Sequence, residues 1–173
     1  MDEKPLTVCL RYYGISPWEI EVIYNLFNEK FEVIQEETEQ TELNFVSALT
    51  VIIPLPFSEE FFKWFEFREW EKVKHIIKEM KRRRGKGNAI IVEILFTGDP
   101  DVRFVTDLSE NHNFNSAIEK IDSVVELFPY HLNDNNIPND LSEAVYKYDI
   151  ESGRWRLNSV LVGQKKISLT KKG

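Results

Sequence analysis

Between Leu6 and Phe96 the hydrophobic period of the chain changes in the order strand, helix, strand, strand, helix, strand, and that order restricts it to a few layered arrangements. Leu6 to Tyr13 alternates as a strand and Gly14 breaks it. The following I-S-P-W-E-I is a complete helix start. Ser16 is placed to cap, Pro17 suits the first helical position, Glu19 closes a capping box, and Ile15 and Ile20 form a hydrophobic staple. The spacing of Ile20, Ile23, Tyr24 and Phe27 predicts a helix to about Asn28. Phe31 to Ile34 reads as a short strand, and residues 35–42, with four glutamates and no apolar side chain, as a solvated loop. Leu43 to Ile53 is a strand ended by P-L-P. Ser58 then caps a long helix that reaches Arg83 or Arg84, with Gly85 as its terminator. Asn88 to Phe96 and Val102 to Asp107 form a hairpin about T-G-D-P-D.

This order matches a ferredoxin-like β-α-β-β-α-β core over about residues 6–96, with two helices packed on one face of a mainly antiparallel sheet. A β-α-β-β segment extends it. Its helix is predicted from Ser116 to Phe128, with Ser116 and Glu119 as a capping box and Pro129 as its end. A loop over 132–140 follows, then a hairpin of Ala144–Ile150 with Arg154–Val162 and a short strand near Ile167–Leu169. The length and the absence of any linker composition predict a single α+β domain over residues 1–173.

Charge narrows the classes of partner. The net charge is −7 in residues 1–50, +2 in 51–100 and −2 in 101–173, so general attraction to nucleic acid or anionic lipid is not expected. The N-terminal MDEKPLTV lacks the pattern of a signal peptide and no apolar run has the length of a membrane helix, which predicts a cytoplasmic protein. Cys9, alone within the apolar run L-T-V-C-L, reads as a small buried side chain. His75, His112 and His131 are scattered without ligand spacing, so neither a metal nor a cofactor is expected.

Three clusters remain. F-F-K-W-F-E-F-R-E-W, residues 61–70, holds six aromatic rings. At about 100° per residue, Phe62, Trp70, Val73, Ile76, Ile77 and Met80 share one face. Trp64 then lies opposite, flanked by Phe61 and Phe67. Two packing arrangements would absorb these rings: a helix covered on its far side by the C-terminal hairpin, or a bend near Glu66. The functional reading is an aromatic face, Phe61, Trp64 and Phe67, that binds a protein partner or a second copy in a non-enzymatic interaction module, inhibitor- or immunity-like. The second cluster, Lys81, Arg82, Arg83, Arg84 and Lys86, is the alternative: a phosphate or nucleic-acid site, without Walker spacing and at the negative end of a helix. The third is Glu66 with Glu69. These fall one turn apart on the core-facing side and would suit acid–base chemistry in an enzyme if buried.

Overall fold

The computed structural model describes residues 6–56, 59–66, 68–132, 137–138 and 140–169. β1, Thr7–Tyr13, ends at Gly14, and α1, Pro17–Asn28, begins as its sequence dictates. The Ser16 hydroxyl accepts from the Glu19 amide at 3.2 Å and the Ser16 amide donates to the Glu19 carboxylate at 3.3 Å. β2, Glu32–Glu37, runs back beside β1 in parallel. β3, Ser47–Ile53, lies antiparallel on the other side of β1. Two helices, α2 (Glu59–Trp64) and α3 (Arg68–Arg84), lead to β4, Ile90–Phe96, parallel to β3. β5, Asp101–Thr106, completes the expected hairpin. The chain passes through α4 (Asn111–Glu119) and α5 (Ile121–Leu132) to β6, Glu143–Asp149, parallel to β5. β7 (Arg154–Val162) and β8 (Lys165–Ser168) follow, each antiparallel to its predecessor.

The result is one mixed sheet of eight strands in the order β2-β1-β3-β4-β5-β6-β7-β8. That order corrects the ferredoxin-like expectation. A split β-α-β unit places another strand between the two it connects. Here each helical segment returns the chain to the strand immediately beside the one it left, giving three parallel pairs among four antiparallel ones. β4 is buried on both faces, as its apolar run requires, and lies inside the sheet.

The helices share one face of the sheet. Val8, Leu10, Leu49, Val51, Val92, Ile94 and Phe104 point up from the strands to meet Ile23, Phe27, Trp70, Ile77, Phe114 and Ile118 in one continuous core. Across α3, Trp70 donates its indole N–H to Asp122 at 2.6 Å, and Lys74 reaches Asp122 at 3.1 Å. β1 and β5 run the same way, yet their crossovers step to opposite sides with helices on a common face, so those two crossovers have opposite hands. Parallel crossovers of one hand dominate known folds, which makes this pairing an uncommon feature.

Two helix predictions need revision. The long helix expected from Ser58 to Arg84 is interrupted by a turn at residues 65–66. The bend at Glu66 is therefore the arrangement adopted, and it lets the rings on both sides of it face the same core. The helix expected from Ser116 to Pro129 is two: Ser116 lies within α4, and Pro129 lies inside α5 instead of ending it.

Gly14 has a positive φ of 67°, and a Cβ there would lie 2.7 Å from the Val46 carbonyl oxygen and 2.9 Å from Ser47 Cβ. Both obstacles lie at the start of a central strand and cannot swing aside. Gly14→Ala is expected to cost about 2 kcal/mol, combining backbone strain with overpacking, read as a lower urea midpoint at unchanged slope.

Candidate protein-binding surface

The aromatic stretch builds core, not surface. Phe61 is 1% exposed and Trp64 6%. Phe61 meets Phe96 edge-on at 5.0 Å and Phe65 at 5.4 Å, while Trp64 stacks on Phe27 at 6.1 Å with planes 10° apart and takes Phe31 against its face. A helix wheel run straight through residues 61–80 opposes Trp64 to Val73. The turn after Trp64 removes that opposition, so Phe61 and Trp64 pack into the core and are not presented at the surface as expected. Phe67 lies outside the described residues.

The same turn separates the two carboxylates. Glu66 is exposed, whereas Glu69 is buried and accepts from the Lys72 ammonium at 2.9 Å. They do not share a face or a pocket, so they do not form an acid–base pair.

The basic cluster divides between structure and surface. Lys81 is fully buried, and its ammonium donates to the carbonyls of Ser109 at 2.8 Å, Gly85 at 3.0 Å and Gly87 at 3.2 Å. It closes the negative end of α3. Burial pushes its pKa down. Arg84 joins four segments: both of its terminal nitrogens bind the Glu19 carboxylate, at 2.8 and 2.9 Å, and it also donates to Ser47 Oγ, the Met80 carbonyl and the Gly14 carbonyl. Glu19 is thereby held below its usual carboxylate pKa, chiefly by hydrogen bonding to Arg84. Arg82 forks onto Glu79 at the surface. Of the five cations proposed as a phosphate cradle, only Arg82, Arg83 and Lys86 face solvent.

Arg83 leads to a surface that the sequence reading missed. Its guanidinium lies 4.6 Å from the centroid of Trp18, which is 56% exposed in the first turn of α1. Next to this turn, Arg84 holds Gly14 and Ser47, and the residue before Ser47, Val46, is 77% exposed. The Val46 amide donates to the Asn88 carbonyl at 3.2 Å, and the segment leading into it is pinned by the Tyr13 hydroxyl, which lies between the carbonyls of Glu42 and Phe45. Phe45 turns onto the sheet while Leu43 and Val46 point out. Trp18 and Arg83 thus form one patch beside the Gly14 turn that Val46 adjoins, while Leu43 follows the segment held by Tyr13 toward the helix-free face. A sequence signal was available: Trp18 lies about opposite to Ile20, Ile23 and Phe27 on the α1 wheel.

Among the described residues the opposite face of the sheet carries no helix. On it Arg103 bridges Glu93 at 2.7 Å and Glu143, its charge satisfied locally, beside depressions of about 400 to 470 Å³. One guanidinium shared by two carboxylates leaves the cluster with a net negative charge, which a solvated sheet face accommodates.

Fold and surface together define a mixed α/β protein with an eight-stranded sheet, in which no helix of the described residues is long and apolar enough to cross a membrane. Comparison of the chain with protein-family models, with curated proteins and with solved structures finds no match.

Proposed function

We propose that the protein is a non-enzymatic interaction module that binds a linear acidic segment of a partner protein at the corner of Trp18, Arg83 and Val46. The observation that carries this reading is an exposed tryptophan lying under an arginine. Trp and Arg are the residues that most often dominate binding energy at protein interfaces, and an indole kept in water by a rigid first helical turn loses little freedom on binding. The ring face and Val46 supply apolar contact. Arg83 and Lys86, which have no carboxylate partner among the described residues, supply charge complementary to acidic side chains.

The test is selection of displayed peptides on the wild-type chain, with Trp18→Ala as the counter-target. Peptides with carboxylates around one large apolar residue should be enriched. Their affinity should fall at least tenfold with Trp18→Ala and with Val46→Asp, without change in thermal unfolding. Enrichment of peptides that bind wild type and Trp18→Ala alike would refute the assignment. The alternative, a nucleic-acid surface reduced to Arg82, Arg83 and Lys86, predicts instead salt-sensitive binding to an oligonucleotide that Trp18→Ala leaves largely intact.

A further inference from the structure

We propose that the protein associates with itself head to tail through the two edges of its sheet, β8 of one copy adding in parallel to β2 of the next. The inference rests on the two edge strands and not on Trp18 or Arg83, and is independent of the function proposed there.

Among the described residues β2 and β8 are the terminal strands, so each has a hydrogen-bonding edge that no other described strand occupies. Following the pairings across the sheet, β2, β1, β5, β6 and β8 all run in one direction. A second copy placed alongside without being turned over therefore sets its β2 parallel to the β8 of the first. The helices of both then lie on the same side.

The charges select this pairing. β2 reads E-V-I-Q-E-E and β8 reads K-K-I-S, and their charged side chains are exposed. Edges of one sign keep like edges apart, a common protection against strand addition. Here that protection covers only half of the possibilities. Two β2 edges would oppose glutamates and two β8 edges would oppose lysines, whereas β8 against β2 brings opposite signs together. Among the described residues neither Glu32 nor Lys166 has an ion-pair partner, while Glu36 is already bound to Arg11 at 3.1 Å.

The side-chain alternation fixes the register. Val33 and Ile167 both pack against the helix-side core, so Glu32 and Lys166 lie on the helix-free face. Setting Ile167 beside Val33 places Lys166 beside Glu32, matching apolar to apolar on one face and cation to carboxylate on the other. A one-residue slip would lose both matches. Because the two contacting surfaces differ, the contact is heterologous and each added copy presents a new β8 edge, so growth does not stop at a dimer.

Sedimentation equilibrium on the intact chain tests this. At low salt the weight-average mass should rise with concentration past that of a dimer, and it should fall when salt screens the edge charges. Lys166→Glu should abolish the growth, as should Glu32→Lys in a separate chain. Mixing the two substituted chains should restore it, since each reversed edge then meets its complement. Trp18→Ala should leave the growth unchanged. A wild-type chain that stays monomeric at every concentration, or that stops at a dimer, overturns the proposal without the aid of any variant. So does growth that survives charge reversal.

Discussion

Phe61→Ala is expected to lower the free energy of unfolding by about 4 kcal/mol, the scale of a deleted phenylalanine in a close-packed core. The ring is almost wholly buried and lies in a cluster with Phe65, Phe96 and Phe128, drawn from a helix, a turn, the end of β4 and α5. Each neighbour is itself held from another side: Phe65 by Trp70, Phe96 by Phe104, and Phe128 by Tyr146. The cavity left by truncation therefore has little means of collapsing. Chemical denaturation with urea reads the change as a drop in midpoint. A surface ring would give a change within about 0.5 kcal/mol, and the neighbouring test case on this molecule is Trp18→Ala, which should stay within that range. A loss below about 1 kcal/mol at Phe61 would show that residues 61–64 are not core.

Arg84→Met should cost about 3 kcal/mol although it removes one of four consecutive cations. The methionine keeps the length of the side chain but leaves the Glu19 carboxylate, 5% exposed as a residue, without its bidentate partner. It also strips a donor from Ser47 Oγ and from the Gly14 carbonyl, loosening β1, β3 and α1 at once. Arg84→Lys keeps the charge and loses the fork, so it should recover only part of the stability. The pH dependence gives a second readout. Glu19 has a folded pKa below its unfolded value, so its contribution is complete above the ordinary carboxylate range near about 4 and disappears as pH falls through the lower, folded value. In Arg84→Met that acid-side dependence should weaken or reverse, because the buried carboxyl then gains by protonation. Urea midpoints measured from neutral to acidic pH distinguish the two. Parallel curves for wild type and Arg84→Met would mean that Glu19 and Arg84 do not stabilise each other.

Local structure was legible where a few adjacent residues determine it. I-S-P-W-E-I specified its helix start to the residue because the capping box, the proline and the staple act within one turn. The two hairpins were legible for the same reason, each turn being written in short-range chemistry. Which strand lies beside which was not: the order strand, helix, strand is common to a split unit and to one with adjacent strands, and nothing in Thr7–Tyr13 distinguishes β2 from β4 as its neighbour. The interruption after Trp64 was hidden because Phe65 and Glu66 are unremarkable helix residues, and only tertiary packing of rings on both sides opposes continuity. The basic run misled for a related reason. Lys81 and Arg84 look like exposed cations in a list of letters, but α3 ends against the loop before α4 on one side and against Glu19 on the other, and the positive charges are consumed there. Trp18 was legible in another way, as a single ring on the α1 wheel opposite Ile20, Ile23 and Phe27.

The order of the strands also bears on how the sheet can be laid down as the chain is made. After β1 and β2 have paired, β3 joins the free side of β1, and every later strand from β4 to β8 joins the strand added just before it. No strand has to enter between two that are already bonded, so nothing built early must be taken apart to admit what comes later. A nascent chain released at any strand boundary carries a coherent part of the finished sheet, with its open margin always on the same side.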